Sequence, residues 1–312
     1  MNKTILSINI GSHDTSAAIM INGKLIAACE EERYSYIKHT HEFPQNAIED
    51  CLKIAGINIH DIDVLIIPYD PIFAIHENYL KPALEDNDRI QLMIDEIDRL
   101  KNYYQTEKIV RKKLNFKGSI NFYRHHLCHL ASAYYPSGFN DCILMSNDGL
   151  GEIESSVWAI GRKGKIKIVH DSNHYPHSLG LFYNALTYYL GWQPNFDEGI
   201  IMGLAPYGNP DALIPKQQKS YYKFFSEILK PVNNLEYTVD QKWVSYYKKR
   251  DKWISDEFID FLGPRRKYNS EITQHHKNIA AALQKRLETI VLKQLSYMRE
   301  KYKIKKLAIS GG

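Results

Sequence analysis

Cysteine is scarce in this chain. The four are Cys29, Cys51, Cys128 and Cys142, and no two form a C-x-x-C pair. That spacing excludes a zinc ribbon and a dithiol redox motif. Cys29 and Cys142 fall in apolar, strand-like runs and are expected to be buried thiols, which suits a reducing cytoplasm. Long apolar runs are also missing: none approaches the ~18 residues that a membrane span requires. The N-terminus has a single early lysine, and Asn9, His13 and Asp14 interrupt its apolar stretch, so it lacks the form of a signal peptide. A cytoplasmic protein is the expectation. Nor is there a large excess of one charge, since 40 basic and 36 acidic residues leave a net +4. The clusters Lys248-Lys249-Arg250 and Arg265-Arg266-Lys267 have Asp251, Asp256, Glu257 and Asp260 close by, which reads as solvated surface. A nucleic-acid groove would need a larger basic excess. What is present, 44% apolar and 24% charged residues, is ordinary globular composition. At ~150 residues per unit, 312 residues suggest two units or one large two-lobed domain.

The hydrophobic pattern carries an internal duplication. Thr4 to Ile10 reads as a buried strand, Gly11-Ser12-His13-Asp14-Thr15-Ser16 as a polar glycine-led turn, and Ala17 to Ile21 as a second strand. Asn22-Gly23 is a two-residue hairpin signal, and Lys24 to Cys29 a third strand. The order recurs as Asp141 to Ser146, the turn Asn147-Asp148-Gly149-Leu150-Gly151-Glu152, Ser155 to Ile160, Gly161-Arg162-Lys163-Gly164, and Lys165 to Val169. Two copies of one strand–turn–strand–hairpin–strand unit imply an α/β architecture. Between and after them, helices are expected over Pro44 to Ala55, Arg89 to Leu114 (as one helix or a pair), His125 to Tyr135, Ser178 to Leu190 and Ile272 to Tyr302. Short strands are expected at Val64 to Ile67, Ser119 to Tyr123 and Lys306 to Ser310. Gly199 to Gly208 reads as a loop punctuated by glycine and proline, and residues 209 to 270 show only weak periodicity.

The chemistry concentrates at the turns. His125 and His129 are four apart, so on a helix they share one face with Cβ atoms ~6 Å apart, which suits two imidazoles on one metal. Two surface or capping histidines are the alternative. The pair directly follows a strand, and Asp148 sits in the glycine turn after the next strand, where a carboxylate could complete a His-His-Asp set with open positions. In the first turn, Gly11 and Ser12 offer backbone N–H groups and a hydroxyl of the kind that cradle phosphate, as do Gly149 and Gly151 in the second. His13 is a candidate general base because its ordinary pKa lies near neutrality. By itself that segment equally describes a turn histidine bonded to backbone. After the last strand, Gly311 and Gly312 would let backbone approach a nucleotide closely, or would simply open a helix.

A set of words in chain order raises these readings. They are Ile8-Asn9-Ile10-Gly11-Ser12-His13-Asp14-Thr15-Ser16-Ala17-Ala18; Glu30-Glu31-Glu32-Arg33 with Lys38; and His125-His126-Leu127-Cys128-His129. Asp148-Gly149-Leu150-Gly151-Glu152, Met202-Gly203-Leu204-Ala205-Pro206-Tyr207-Gly208 and Leu307-Ala308-Ile309-Ser310-Gly311-Gly312 complete the set. The sequence resembles the O-carbamoyltransferases of nodulation-factor, cephamycin and aminoglycoside biosynthesis, which are similar to the tRNA threonylcarbamoyl transferase subunit. Residues 70 to 115 and 210 to 270 match poorly.

The resemblance implies duplicated ribonuclease-H-like lobes of the actin, sugar-kinase and heat-shock ATPase superfamily. The first lobe would span 1–138 with the metal-ligand helix. The second would span 139–312 and stop at the nucleotide loop, incomplete, with a C-terminal YrdC-like domain absent. It implies a divalent metal, with Fe(II) expected, held at His125, His129 and Asp148 plus an aspartate beyond the double glycine. His13 is the implied base at the acceptor hydroxyl, and Gly11, Ser12, Gly149, Gly151, Gly311 and Gly312 are implied nucleotide or phosphate contacts. The implied reaction moves a carbamoyl group from ATP-derived carbamoyl adenylate to a small-molecule or glycan acceptor. The YrdC-like domain, and with it the rest of this one, would come from a further stretch of sequence or a separate chain. One departure stands out: where the family often has a lysine before Met-Gly-Leu-Ala, this chain has Ile200-Ile201. Two other readings compete. A relative that keeps a metal or nucleotide site without turnover would look the same up to Gly312. A sugar kinase or ATPase of the superfamily would not need the histidine pair.

Overall fold

The structure, a computed structural model, describes residues 3–11, 13–250 and 252–312, with the side chains of 171 and 172 excepted. The chain forms two compact units, Met1–Cys128 and His129–Gly312. The first is built on five strands: β1 (Thr4–Asn9), β2 (Ser16–Ile21), β3 (Lys24–Glu30), β4 (Val64–Ile67) and β5 (Ser119–Phe122). They lie in the order β3-β2-β1-β4-β5. β1, β2 and β3 pair antiparallel through the expected hairpin, while β4 and β5 run parallel to β1. Because those three strands are parallel, Gly11, Tyr69 and His125, each just past a strand end, emerge at the same edge of the sheet. Open α/β sheets place ligands at that edge.

The period-2 pattern sets the faces of this sheet. Leu6 and Ile8 are fully buried, whereas Ser7 and Asn9 on the other face are half-buried. The buried face packs with Ala47, Ile48 and Cys51 of α2 and with Val110 and Leu114 of α7. Burying such a side chain contributes about 1.5–3 kcal/mol. The helices of this unit are α1 (Glu32–Ser35), α2 (Gln45–Ala55), α3 (Pro71–Ala74), α4 (Lys81–Glu85), α5 (Asn87–Asp95), α6 (Ile97–Tyr104) and α7 (Thr106–Leu114), with α8 (His125–Tyr134) leaving it. The helix or helix pair expected over Arg89 to Leu114 is therefore three short helices. Their breaks at Glu96 and Gln105 place Leu92, Leu100 and Val110 in two different clusters. Cys142 is buried as expected; Cys29 is only half-buried, because β3 is an edge strand.

The second unit repeats the frame. β6 (Asp141–Asn147), β7 (Glu154–Arg162), β8 (Lys165–His174) and β11 (Leu307–Ser310) form a sheet in the order β11-β6-β7-β8. β11 runs parallel to β6 and the other pairs are antiparallel, as in the β4-β1-β2-β3 part of the first sheet. The two units thus share one duplicated α/β frame, with four strands among the described residues here against five in the first unit. β9 (Leu229–Pro231) and β10 (Tyr237–Val239) make a separate two-stranded ribbon. The helices are α9 (Leu179–Tyr189), α10 (Glu198–Leu204), α11 (Tyr221–Ile228), α12 (Asp256–Leu262) and α13 (Gln274–Tyr302). The weakly periodic stretch from 209 to 270 folds into an aromatic core: Tyr221, Phe224, Phe225 and Phe258 pack with Phe182 of α9 and Ile279 and Leu283 of α13.

Two expectations change in this unit. The division of the chain falls at 128/129 instead of after 138, because Leu130 and Tyr134 of α8 pack with Cys142, Leu144 and Val157 of the second sheet. Gly199 to Gly208 is not a loop. It is α10 followed by the short 3-10 turn Ala205–Tyr207, docked so closely on α13 that a Cβ on Gly208 would lie 2.0 Å from the Lys277 carbonyl. That contact gives the Met-Gly-Leu-Ala-Pro-Tyr-Gly word a packing role. No helix among the described residues is long and apolar enough to cross a membrane.

Candidate functional site

Helix α8 starts three residues after β5 ends, so His125 leaves the strand edge at the first helical position. The helix is continuous through the division of the chain, so the helix itself holds His125 one turn before His129. Its far end is keyed into the second sheet. The Tyr134 ring lies where a Cβ on Gly161 would be, 2.5 Å from it, and Tyr134 Oη accepts from the Gly164 N–H at 3.0 Å and donates to the Asn140 carbonyl at 3.1 Å. Opposite the helix, β6 ends at Asn147 and delivers Asp148. His129 Nε2 lies 3.1 Å from Asp148 Oδ2, and His125 stands one turn before His129 on the same helix. Two donors at right angles on one divalent ion, each bonded at about 2.1 Å, stand about 3.0 Å apart. The three side chains are half-buried, and two imidazoles with one carboxylate are the donors a divalent transition metal takes. The residues therefore fit such an ion. His126, the intervening histidine, is buried, with its ring edge-on to that of His125 at 5.7 Å.

The Asp148 turn is held from two sides. The Ser178 hydroxyl, which caps α9, donates within reach of the Asp148 and Gly149 carbonyls at 3.2 and 2.7 Å. Gly180 lies against the same turn: a Cβ there would sit 2.7 Å from Gly149 N. From the other side, β11 is followed by Gly311 with φ +108°, where a Cβ would lie 1.8 Å from the Asn147 carbonyl oxygen, and Gly312 follows beside Asp148. Gly311 is required so that one strand end can close over the other. Gly149 and Gly151 use their N–H groups inside the turn, on Asp148 Oδ1 at 2.6 Å and on the Glu154 carbonyl at 2.8 Å.

The first turn brings together residues that are far apart in sequence. Gly11 has φ +82°, and its Cα faces Tyr103. Tyr103 packs on Tyr69, with centroids 5.4 Å apart, and Tyr69 meets the His125 ring edge-on at 6.5 Å. This aromatic row lines the sheet edge from the turn to His125. His13 Nδ1 bonds Asp14 Oδ2 at 2.7 Å, and His39 Nδ1 bonds Asp14 Oδ1 at 2.8 Å. Burial pushes the Asp14 pKa up, but hydrogen bonds from His13 and then His39 outweigh it, and the carboxyl is held below its ordinary range. Ser12 lies outside the described residues.

The glutamates of the Glu30-Glu31-Glu32 word turn out to be scaffolding. Buried Glu31 accepts from the Asn46 and Ala47 N–H groups at the start of α2, Glu32 accepts the His39 N–H at 3.0 Å, and Glu30 pairs with Arg33. His39 and the bridging role of Asp14 had no signal in the pattern beyond adjacency to Lys38, which is exposed. A cavity of about 490 Å³ opens on the face of the first sheet between Ser7, Asn9, Ser16, Cys29, Arg33 and Tyr34, but none of the converging histidines lines it. In each unit the candidate residues lie at the strand ends, and not in this cavity.

The family described as carbamoyltransferase N-terminus matches residues 4–312. Over 97% of its length the chain is 32% identical to nodulation protein NolNO of Sinorhizobium fredii (strain NBRC 101917 / NGR234), covering 41% of that protein. Over 99% of its length it is 31% identical to the protein sll1178 of Synechocystis sp. (strain ATCC 27184 / PCC 6803 / Kazusa), covering 50% of it. The chain thus spans about half the length of the curated relatives it matches. Among solved structures it is similar to T. kodakarensis HypF, at 13% identity and a TM-score of 0.44, over 100% of this chain and 42% of that one.

Proposed function

The chain belongs to the carbamoyltransferase N-terminal family, and on that premise we propose that it carries the transfer step of an O-carbamoyltransferase, passing a carbamoyl group from carbamoyl adenylate to the hydroxyl of a small-molecule or glycan acceptor. One observation carries the reading: the family match extends over residues 4–312, and every candidate site residue lies inside it. Formation of carbamoyl adenylate from carbamoyl phosphate and ATP is assigned to a YrdC-like domain outside these residues, on the same or a separate chain.

In this reading His13 takes the proton of the acceptor hydroxyl at Nε2. The hydroxyl oxygen bonds the carbamoyl carbon, the bond from that carbon to the phosphate oxygen breaks, and AMP leaves with the electron pair. An alcohol is too weak an acid to ionise unaided near neutrality, so a positioned base is worth about 100- to 10,000-fold. His125, His129 and Asp148 would hold a divalent metal, Fe(II) by family resemblance, which when bound supplies Lewis-acid polarisation of a phosphate or carbamoyl oxygen. The half-exposed His13 side chain is open to an incoming hydroxyl. Gly11 and the Tyr103–Tyr69 row bound the sheet edge between His13 and His125.

The test supplies carbamoyl adenylate and a panel of hydroxyl acceptors to the full-length protein, or to this chain with its YrdC-like partner, and follows AMP release and carbamate formation by mass spectrometry. Acceptor-dependent AMP release is expected from the wild type. His13→Asn is expected to keep metal and nucleotide binding and to lose transfer by about 100- to 10,000-fold. Transfer by His13→Asn at the wild-type rate refutes the role of His13. Adenylate formation by the isolated 312 residues refutes the division of labour.

A further inference from the structure

We propose that Asp14 is a positioning residue that holds His13 and His39 together as Nδ1–H tautomers, so that His13 turns an unprotonated Nε2 toward the acceptor hydroxyl. The role in transfer rests on the reading of His13 as base; the tautomer assignment does not.

An ionised carboxylate only accepts, so each ring nitrogen that bonds it must carry a hydrogen. Asp14 offers Oδ2 to His13 Nδ1 at 2.7 Å and Oδ1 to His39 Nδ1 at 2.8 Å. Both histidines therefore carry the proton on Nδ1 when neutral, and in each the lone pair lies on Nε2. Which nitrogen of a histidine is protonated is set by the bond the other end makes. With only one histidine bound, the carboxylate could rotate about its own axis and release it. With an imidazole on each oxygen, it is pinned.

The backbone is arranged to hold this contact. Asp14 has φ +58° and His39 φ +56°, left-handed conformations that Asp and His adopt more readily than most residues but still at a cost. The Asn9 amide donates to the His13 and Asp14 carbonyls at 3.3 and 2.9 Å. The Glu32 carboxylate holds the His39 N–H, and the Thr15 N–H bonds the Thr40 carbonyl next to it. The His13 ring also stands perpendicular to the His39 and His41 rings, at 6.4 and 6.3 Å, which limits its rotation.

The same three residues could be taken for a second metal centre, since their ligand atoms lie within 4.8 Å of one another. The distances favour hydrogen bonds. Separations of 2.7 and 2.8 Å are charge-assisted hydrogen-bond lengths, whereas two donors on one ion would stand about 3.0 Å apart or more. Each imidazole also meets a different carboxylate oxygen.

The experiment is a long-range nitrogen–proton correlation spectrum of the chain labelled with 15N-histidine, at about pH 8, above the ordinary histidine pKa. Signals are assigned by the loss of one set each in His13→Asn and His39→Asn. Both wild-type histidines are expected as Nδ1–H tautomers. Asp14→Asn suits the left-handed backbone and has one acceptor and one donor, so it can satisfy only one Nδ1–H; at least one of the two histidines is expected to switch to Nε2–H. In the full-length enzyme supplied with carbamoyl adenylate, Asp14→Asn is expected to lower kcat by about 100- to 10,000-fold with little change in KM.

An Nε2–H tautomer at wild-type His13, unchanged tautomers in Asp14→Asn, or perturbation of His13 and His39 by stoichiometric Zn(II) in the His125→Ala/His129→Ala variant overturns the tautomer assignment, whatever the transfer rate. Should Asp14→Asn fail to fold, the wild-type tautomers and the metal titration still decide. Correct tautomers with full transfer by His13→Asn would instead overturn the reading of His13 as base.

Discussion

Two glycines occupy the same place in two helices and should respond oppositely to one substitution. Gly180 and Gly199 are each the second residue of their helix, α9 and α10, in the second unit. Alanine is the better helix former by about 0.5–1 kcal/mol, less the loss at a helix end. At Gly199 nothing lies within 4 Å of the added Cβ, so Gly199→Ala should be neutral or stabilise by up to ~1 kcal/mol. At Gly180 the Cβ would meet Gly149 N at 2.7 Å and the Asp148 carbonyl carbon and oxygen at 2.9 Å each. Those atoms are backbone and cannot swing aside as a side chain can. The Asp148 turn must therefore move by about 0.7 Å to restore ordinary contact. Overpacking of this kind costs about 1–3 kcal/mol. The two variants should differ by roughly 2 kcal/mol, or about 4–8 °C in Tm, with Gly180→Ala the lower. Because the displaced turn carries Asp148, Gly180→Ala should also weaken divalent-metal binding measured by calorimetry, while Gly199→Ala should not. Equal melting temperatures together with equal metal affinity would refute the close approach of α9 to the Asp148 turn.

Other consequences can be checked directly. The double variant His125→Ala/His129→Ala should abolish stoichiometric divalent-metal binding by the chain; metal content unchanged from wild type would place the site elsewhere. Glu31→Ala removes the buried acceptor of the Asn46 and Ala47 N–H groups and should cost about 1–3 kcal/mol in urea unfolding, with Glu31→Gln intermediate; no loss would mean that α2 needs no such cap. His177, His275 and His276 have pKa values pushed down by burial, His276 to about 4 with help from the neighbouring His275 and Arg266 charges. The folded state therefore keeps them neutral where the unfolded chain binds protons. Stability is full above their ordinary 6.5 and falls as pH drops from there toward 4, and His276→Gln should flatten that slope in melts run from neutral to acid pH.

The sequence alone determined the features that depend on near neighbours. Apolar runs from Thr4 to Ile10 and from Asp141 to Ser146 located the strands, Asn22-Gly23 the hairpin, Ser178 the start of α9, and the two glycine turns the duplication. The four-residue spacing of His125 and His129 put them on one helical face, because helical geometry is local. Tertiary structure decided what depends on partners distant in the chain. His39 reaches Asp14 across 25 positions because the β1–β2 turn and the segment after α1 are pinned together by Asn9, Glu32 and Thr15. The apolar spacing from Arg89 to Leu114 was helical but could not show where packing into separate clusters would break the helix, nor that Gly199 to Gly208 would become helix once docked on α13. In the sequence Gly180 lies inside an expected helix with no signal of its own, and Gly311 reads as a close backbone approach to a nucleotide or a helix entry. In the fold they are points where two backbones touch, at a distance no side chain would permit.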